Sequence, residues 1–144
     1  MKLLLDEQLD INIKSQLKGI DVFSVRDMGW LGLKNGELRD KLNENNFLLF
    51  LTADKNLPFQ QNFDKINFTI LLFDTPAMRW RYQQLFIAPI QTFLDNMPHP
   101  LPKLVHFSIT EVSKGQKKKH SKHDCLIIRF CFLNFLLFHL NKDV

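Results

Sequence analysis

Four apolar runs in the first half of the chain end at or just before an aspartate: Leu3-Leu4-Leu5 at Asp6, Val22-Phe23-Ser24-Val25 at Asp27, Phe47 to Leu51 at Asp54, and Ile70 to Phe73 at Asp74. Carboxylates gathered at one edge repel one another and raise each other's pKa unless a cation neutralises them. Asp6 and Asp54 at strand ends, with Glu37 opening the helix after the second strand, offer three oxygen ligands from separate elements. That donor set suits Mg²⁺ or Mn²⁺, which bind few carboxylates and keep waters or substrate phosphate oxygens. Such an ion can bridge a phosphodiester, lower the pKa of a bound water and stabilise the leaving oxygen. The hydroxyl of Thr52 can orient a ligand or a water. Each acid alone has a plainer reading, since Asp is common at loop starts and Glu37 in a first helical turn complements the positive helix end. The coincidence of several acids on one rim is what points to a site.

For the acids to meet, the runs must lie side by side and parallel, because the carboxyl ends of parallel strands form one rim. The spacing of Leu9, Ile13, Leu17 and Ile20 predicts a first helix with Gly19 at its C-cap. Strand two is expected over 21–25, followed by a loop, Met28 to Lys34, whose glycines permit tight turns. Asn35 is the expected N-cap of a second helix that carries Glu37, Leu38 and Leu42. Strand three is expected over 47–51 and strand four over 69–73, with a short segment from Leu57 to Phe63 between them. A helix is expected over 89–97, with Pro89 at N1 and an apolar stripe of Ile90, Phe93, Leu94 and Met97. Arg79-Trp80-Arg81-Tyr82 either contacts nucleic acid or leads into a helix and stacks on itself. Pro98 to Pro102 reads as an extended linker, and Leu104 to Val112 as a final edge strand. The order predicts an α/β fold with a mainly parallel sheet.

The 144-residue chain carries a net charge of +4, but the charge is uneven. Residues 1–113 hold 12 Lys and Arg against 13 Asp and Glu, whereas residues 114–144 hold seven basic and two acidic groups. The basicity therefore belongs to the extension and says little about what the folded part binds. The expected division is a domain over 1–112, with its core in 1–97, linker 98–102 and edge strand 104–112, then a basic and finally apolar extension, 113–144. Cys125 to Leu140 is dominated by Phe, Leu and Ile without a clear period. It falls short of the roughly 20 residues a membrane span needs, and Arg129, Asn134 and His139 interrupt it, so a covered or aggregation-prone extension is expected instead of an anchor. Cys125 and Cys131 both lie there, a pattern that fits a reducing cytoplasm without a disulfide framework. His120, His123, Cys125 and Cys131 lack the two-plus-two spacing of a zinc knuckle. The initial apolar run stops at Asp6-Glu7, too early for an export signal.

Three blocks carry a resemblance: Leu3 to Glu7; Arg26-Asp27-Met28-Gly29-Trp30-Leu31-Gly32-Leu33-Lys34-Asn35-Gly36-Glu37-Leu38; and Leu51-Thr52-Ala53-Asp54-Lys55-Asn56-Leu57-Pro58-Phe59-Gln60-Gln61-Asn62. From Met1 to about Met97 the chain resembles the PIN-like proteins of prokaryotic toxin-antitoxin type. The resemblance implies a PIN-like three-layer α/β fold and a Mg²⁺- or Mn²⁺-dependent ribonuclease toxin restrained by a small antitoxin protein, with a homodimer also possible. It implies Asp6, Glu37 and Asp54 as the acidic positions and Thr52 as the supporting threonine. Where many PIN proteins have a further acid, this chain has Asn56, which can ligate through its amide oxygen without adding charge. Glu7 can assist beside Asp6. Trp30, Asn35, Lys55, Gln60 and Gln61 are the residues expected to meet RNA by stacking or polar contact.

Two other functions use the same rim. A catalytically weak module would hold RNA or a protein through the metal without turnover, a reading that Asn56 keeps open. A receiver-like phosphoacceptor domain would use Asp6-Glu7 beside Asp54, but it wants a lysine after a fifth strand, and Lys103 precedes that strand.

Overall fold

The computed structural model describes residues 1–57, 62–110 and 127–132. Six strands form one sheet in the order β2-β1-β3-β4-β5-β6, with β1 at Lys2–Leu5, β2 at Asp21–Ser24, β3 at Leu49–Thr52, β4 at Thr69–Asp74, β5 at Leu104–Thr110 and β6 at Ile127–Phe132. The first five are parallel, and β6 runs antiparallel to β5. The helices that lie within the described residues are α1 (Ile13–Gln16), α2 (Asn35–Glu44), α3 (Trp80–Gln83) and α4 (Ile87–Asp95), the last two joined by a 3-10 turn.

Strands buried on both faces read as unbroken apolar runs. Leu3, Leu5, Leu49, Leu51, Leu71 and Phe73 face one core, where they meet Ile13 of α1 and Phe86, Ile90 and Phe93 of the α3–α4 segment. Leu4, Phe50, Ile70 and Leu72 face the other, against Leu38 and Leu42 of α2. The result is a three-layer α/β fold. The connections through α1 and α4 cross the same face but travel in opposite directions along the sheet, so they have opposite hands. The α2 connection, which covers the other face on its way from β2 to β3, shares the hand of the α1 connection. The α4 connection therefore has the opposite hand to these two, and it lays α3 and α4 on the face that carries α1.

Several expectations change in detail. The first helix is one turn, although Leu9, Ile13 and Leu17 are all buried as their spacing requires. Asp10 Oδ1 accepts the Asn12 N–H at 3.0 Å, a local bond that competes with helix formation. Gly19 follows with φ +73°. Lys34, not Asn35, is the N-cap of α2. Pro89 is the third residue of α4, not its first, a place tolerated because the first-turn N–H groups have no partner within the helix. Arg79 to Tyr82 leads into α3, with the Arg81 guanidinium 2.9 Å from the Tyr82 hydroxyl and 4.7 Å from its ring centroid.

The strand expected as a sheet edge, β5, is internal, because six residues of the extension pair along it as β6. A continuous apolar run hides strand boundaries from periodicity, which is why Cys125 to Leu140 showed none. Lys103 stands before β5 and its ammonium donates to the Ile66 carbonyl, at the amino-terminal edge of the sheet. It cannot serve the opposite rim, as a receiver-like phosphoacceptor would need. Among the described residues no helix is long and apolar enough to cross a membrane.

Candidate functional site

Strand β1 lies between β2 and β3, and the chain leaves it across one face of the sheet and reaches β3 across the other. Such a reversal opens a crevice at the carboxyl ends of the strands, where α/β proteins bind ligands. Asp6 follows β1 directly, and its N–H extends the ladder by donating to Leu51 O at 3.0 Å. Thr52, the last residue of β3, is fully buried. Its hydroxyl donates to Asp6 Oδ2 at 2.6 Å and accepts the Asp54 N–H at 3.0 Å. Asp6 Oδ1 accepts the Glu7 N–H at 2.8 Å, and Asp54 Oδ1 accepts the Asn56 N–H at 2.9 Å. Thr52 thus joins the two aspartates across adjacent strands, and every one of these bonds fixes a carboxylate or the backbone that carries one.

A cleft of about 90 Å³ opens above this relay, lined by Asp6, Glu7, Gln8, Trp30, Asn35 and Asp54 with Val25, Leu33 and Leu38 behind them. Burial, the largest influence, raises the Asp6 pKa, and the charges of Glu7 and Asp54 push it the same way. The hydrogen bonds from Thr52 and the Glu7 N–H oppose the rise without cancelling it. Ionised Asp6 is therefore short of compensating charge. Among the described residues no Lys, Arg or His forms an ion pair with Asp6, Glu7 or Asp54.

The outer acids of the same rim are compensated. Asp27 Oδ2 lies 2.7 Å from Lys14 Nζ and accepts the Ser24 N–H at 2.9 Å. Those bonds, the lysine's first, lower its pKa to about 2. Asp74 Oδ1 lies 2.6 Å from Lys55 Nζ.

Glu37 does not join Asp6 and Asp54. It is exposed, its carboxylate accepts the Lys34 N–H at 2.9 Å, and it does not line the cleft. At the third position of α2 this is the Glu half of a capping box, a local bond that holds the side chain against its own backbone. Asn35, two residues earlier, lines the cleft instead. Asn56 meets Asp54 through its backbone N–H. Trp30 is half-buried, 5.8 Å from the Phe47 ring in an edge-on arrangement, and forms one wall. Lys55 is engaged with Asp74. Gln60 and Gln61 lie outside the described residues, as do His120, His123 and Cys125.

Among the described residues no three His, Cys, Asp or Glu side chains form a ready metal cage. Mg²⁺ needs none, because it is ordinarily held by one or two carboxylates and completes its shell with water and substrate phosphate. Two half-buried aspartates with hard oxygen donors and no ion-pair partner among the described residues fit that requirement.

Two residues here escape sequence reasoning. Gln8 lines the cleft. Gln83 is fully buried and its Oε1 accepts the Asp10 N–H at 2.9 Å, tying down the loop that carries Asp6. The available signal was its place three residues before Phe86 and seven before Ile90, a polar residue on an otherwise apolar face. No family model, curated protein or solved structure matches the chain.

Proposed function

We propose that the chain is a metal-dependent endoribonuclease of PIN type, which cuts unpaired RNA in the cytoplasm as the toxin of a toxin-antitoxin pair. The observation that carries this reading is the uncompensated Asp6–Thr52–Asp54 relay at the switch point of the sheet. Asp6 and Asp54 would hold the ion, with Glu7 beside them. Bound Mg²⁺ or Mn²⁺ supplies the positive charge that admits a phosphodiester to an acidic cleft and lowers the pKa of a water. Thr52 fixes the orientation of Asp6 and keeps it from turning away from Asp54. The half-buried indole of Trp30 offers an unpaired base a surface, and the Asn35 amide at the cleft can meet sugar or phosphate. Restraint by a small antitoxin and pairing with a second copy belong to the same proposal.

A second reading, a PIN-like module that binds RNA or protein with little turnover, is favoured by one observation. Glu37 faces its own helix start, and Asn56 brings no charge, so fewer acids reach the cleft than the family pattern implies. One experiment separates the two: a mixed single-stranded RNA pool is incubated with the full chain and its Asp54→Asn variant, with and without Mn²⁺, while Mn²⁺ binding is measured in parallel. Mn²⁺-dependent cutting by the parent alone supports the nuclease. Bound Mn²⁺ with no cutting by either moves the conclusion to the binding module, and absence of Mn²⁺ binding overturns both.

A further inference from the structure

We propose that Gln83 is a positioning residue for the acidic site: its side-chain amide is the strut that sets the loop bearing Asp6 and Glu7 against the cleft. The inference rests on the metal-site reading above. Between Asp6 and the start of α1 the backbone–backbone hydrogen bonds among the described residues are local, Leu9 N–H to Asp6 O at 3.1 Å, Ile13 N–H to Asp10 O at 3.1 Å, Lys14 N–H to Ile11 O at 3.0 Å and Ser15 N–H to Asn12 O at 3.2 Å, apart from the Asp6 N–H bond to Leu51. Among the described residues the one side chain that reaches this backbone from a distant element is Gln83. Its Oε1 accepts the Asp10 N–H at 2.9 Å, and its Nε2 donates to Met78 O at 2.7 Å.

Both ends of the amide are satisfied while the residue is 1% exposed. A buried amide is tolerated only when it is bonded in this way, and releasing it leaves the partners unpaired. Rotation of the side chain would put the amine opposite the Asp10 N–H and the oxygen opposite the Met78 carbonyl, two donor–donor and acceptor–acceptor clashes. The strut therefore has one orientation and fixes the distance between α3 and the loop. A one-turn helix such as α1 has little stability of its own, so the loop before it takes its place from what it is tied to. The reversed hand of the α4 connection is what makes this contact possible, since it lays α3 beside the α1 layer.

A second amide of the same helical segment provides an internal control. Gln91 Oε1 accepts the Lys18 N–H at 2.9 Å and its Nε2 donates to Lys18 O at 3.2 Å, tying down the far end of the same stretch of chain. Gln91 is not among the residues that line the acidic cleft. If amide clamps acted only on stability, loss of either would have the same kind of effect.

The test compares the full-length chain with Gln83→Met, Gln83→Glu and Gln91→Met. Amide hydrogen exchange is followed at Glu7 and Leu9, and Mn²⁺ affinity by titration. Gln83→Met is expected to speed exchange at Glu7 and Leu9 and to weaken Mn²⁺ binding by about 10-fold or more, the range seen when a partner that orients a metal ligand is removed. A buried glutamic acid held protonated retains both an acceptor and a donor, so Gln83→Glu is expected to restore both readouts. Gln91→Met is expected to leave Mn²⁺ affinity unchanged. Unchanged exchange at Glu7 and Leu9 in Gln83→Met overturns the strut, as does freer exchange with undiminished Mn²⁺ affinity. If the parent binds no Mn²⁺, the metal-site reading fails, while exchange at the two amides still decides whether Gln83 holds the loop.

Discussion

The outer and inner acids of the rim have the same residue type and the same place at the end of a parallel strand, yet they are treated in opposite ways. Asp27 and Asp74 each have a lysine within 2.7 Å. Asp6 and Asp54 share a threonine and have no ion-pair partner among the described residues. Position at the end of a strand therefore does not by itself mark a functional carboxylate. What separates the pairs is whether the chain has supplied the countercharge. Lys14 and Lys55 are placed on the outer acids while the half-buried inner pair is left without a lysine, and that contrast is what supports the proposal of a cation taken from solution.

The largest expected effects set the two pairs against each other directly. Asp6→Asn and Asp54→Asn should each lower RNA cleavage by roughly 100-fold or more, as expected when a principal electrostatic group of a site is removed. Both should also abolish the rise in melting temperature that Mn²⁺ gives the parent. Asp27→Asn and Asp74→Asn should leave cleavage within about threefold, because exposed ion pairs contribute little. Equal losses from inner and outer variants would break the distinction.

Thr52 comes next. Thr52→Val keeps the shape but removes the hydroxyl, so the Asp54 N–H loses its acceptor and Asp6 loses its donor. A buried group left unpaired costs about 1–3 kcal/mol, and loss of a residue that orients a ligand should weaken Mn²⁺ binding about 10- to 100-fold. Thr52→Ser should restore most of the affinity. Titration calorimetry with Mn²⁺, paired with a denaturant melt, separates the two effects.

The dependence on pH should have opposite signs for Asp27 and Asp6. The folded pKa of Asp27 is about 2, below its ordinary value, so its stabilising contribution is present at neutral pH and lost as pH falls through about 2. Asp6 is shifted upward, so its ionisation destabilises the fold, and stability is gained as pH falls through its raised pKa. Accordingly Asp6→Asn should flatten the decline in melting temperature that the parent shows as pH rises above the ordinary carboxylate range, and Asp27→Asn should not. Mn²⁺ binding should weaken on acidification, as the proton competes for Asp6.

Much of this arrangement was legible before any coordinates. Unbroken apolar runs such as Leu3 to Leu5 and Ile70 to Phe73 require burial on two faces, and an aspartate follows each run within one to three residues, so Asp6 and Asp54 could be brought to one rim from pattern alone. The direction of a side chain at a helix start could not. Glu37 in a first turn serves equally well as a ligand or as a cap, and the choice depends on the Lys34 N–H it meets. The lysines were hidden for a related reason, since the pairing of Lys14 with Asp27 and Lys55 with Asp74 depends on how a one-turn helix and a loop are laid across the sheet. Gln83 was out of reach because its partner, Asp10, is 73 residues away and is brought near by a connection of the opposite hand to those through α1 and α2.

The smallest effect concerns the cation next in sequence to the bare pair. Lys55 is one residue past Asp54, and its ammonium is held by Asp74 with side chains 60% and 38% exposed. An exposed pair of this kind contributes about 0–1 kcal/mol, reduced further by salt, so Asp74→Asn and Lys55→Ala should barely move the melting temperature. Their effects on RNA should nevertheless differ. If the ammonium also meets the backbone of the substrate, Lys55→Ala removes one phosphate contact and should reduce the salt slope of RNA affinity by about 0.7, the value per contact for a single strand. Asp74→Asn frees the same ammonium and should leave that slope intact. Mn²⁺ affinity should be nearly unchanged in both, because neither residue belongs to the inner relay. A strong loss of Mn²⁺ from Asp74→Asn would mean that the outer acid serves the ion as well, and the line between compensated and bare carboxylates would have to be drawn elsewhere.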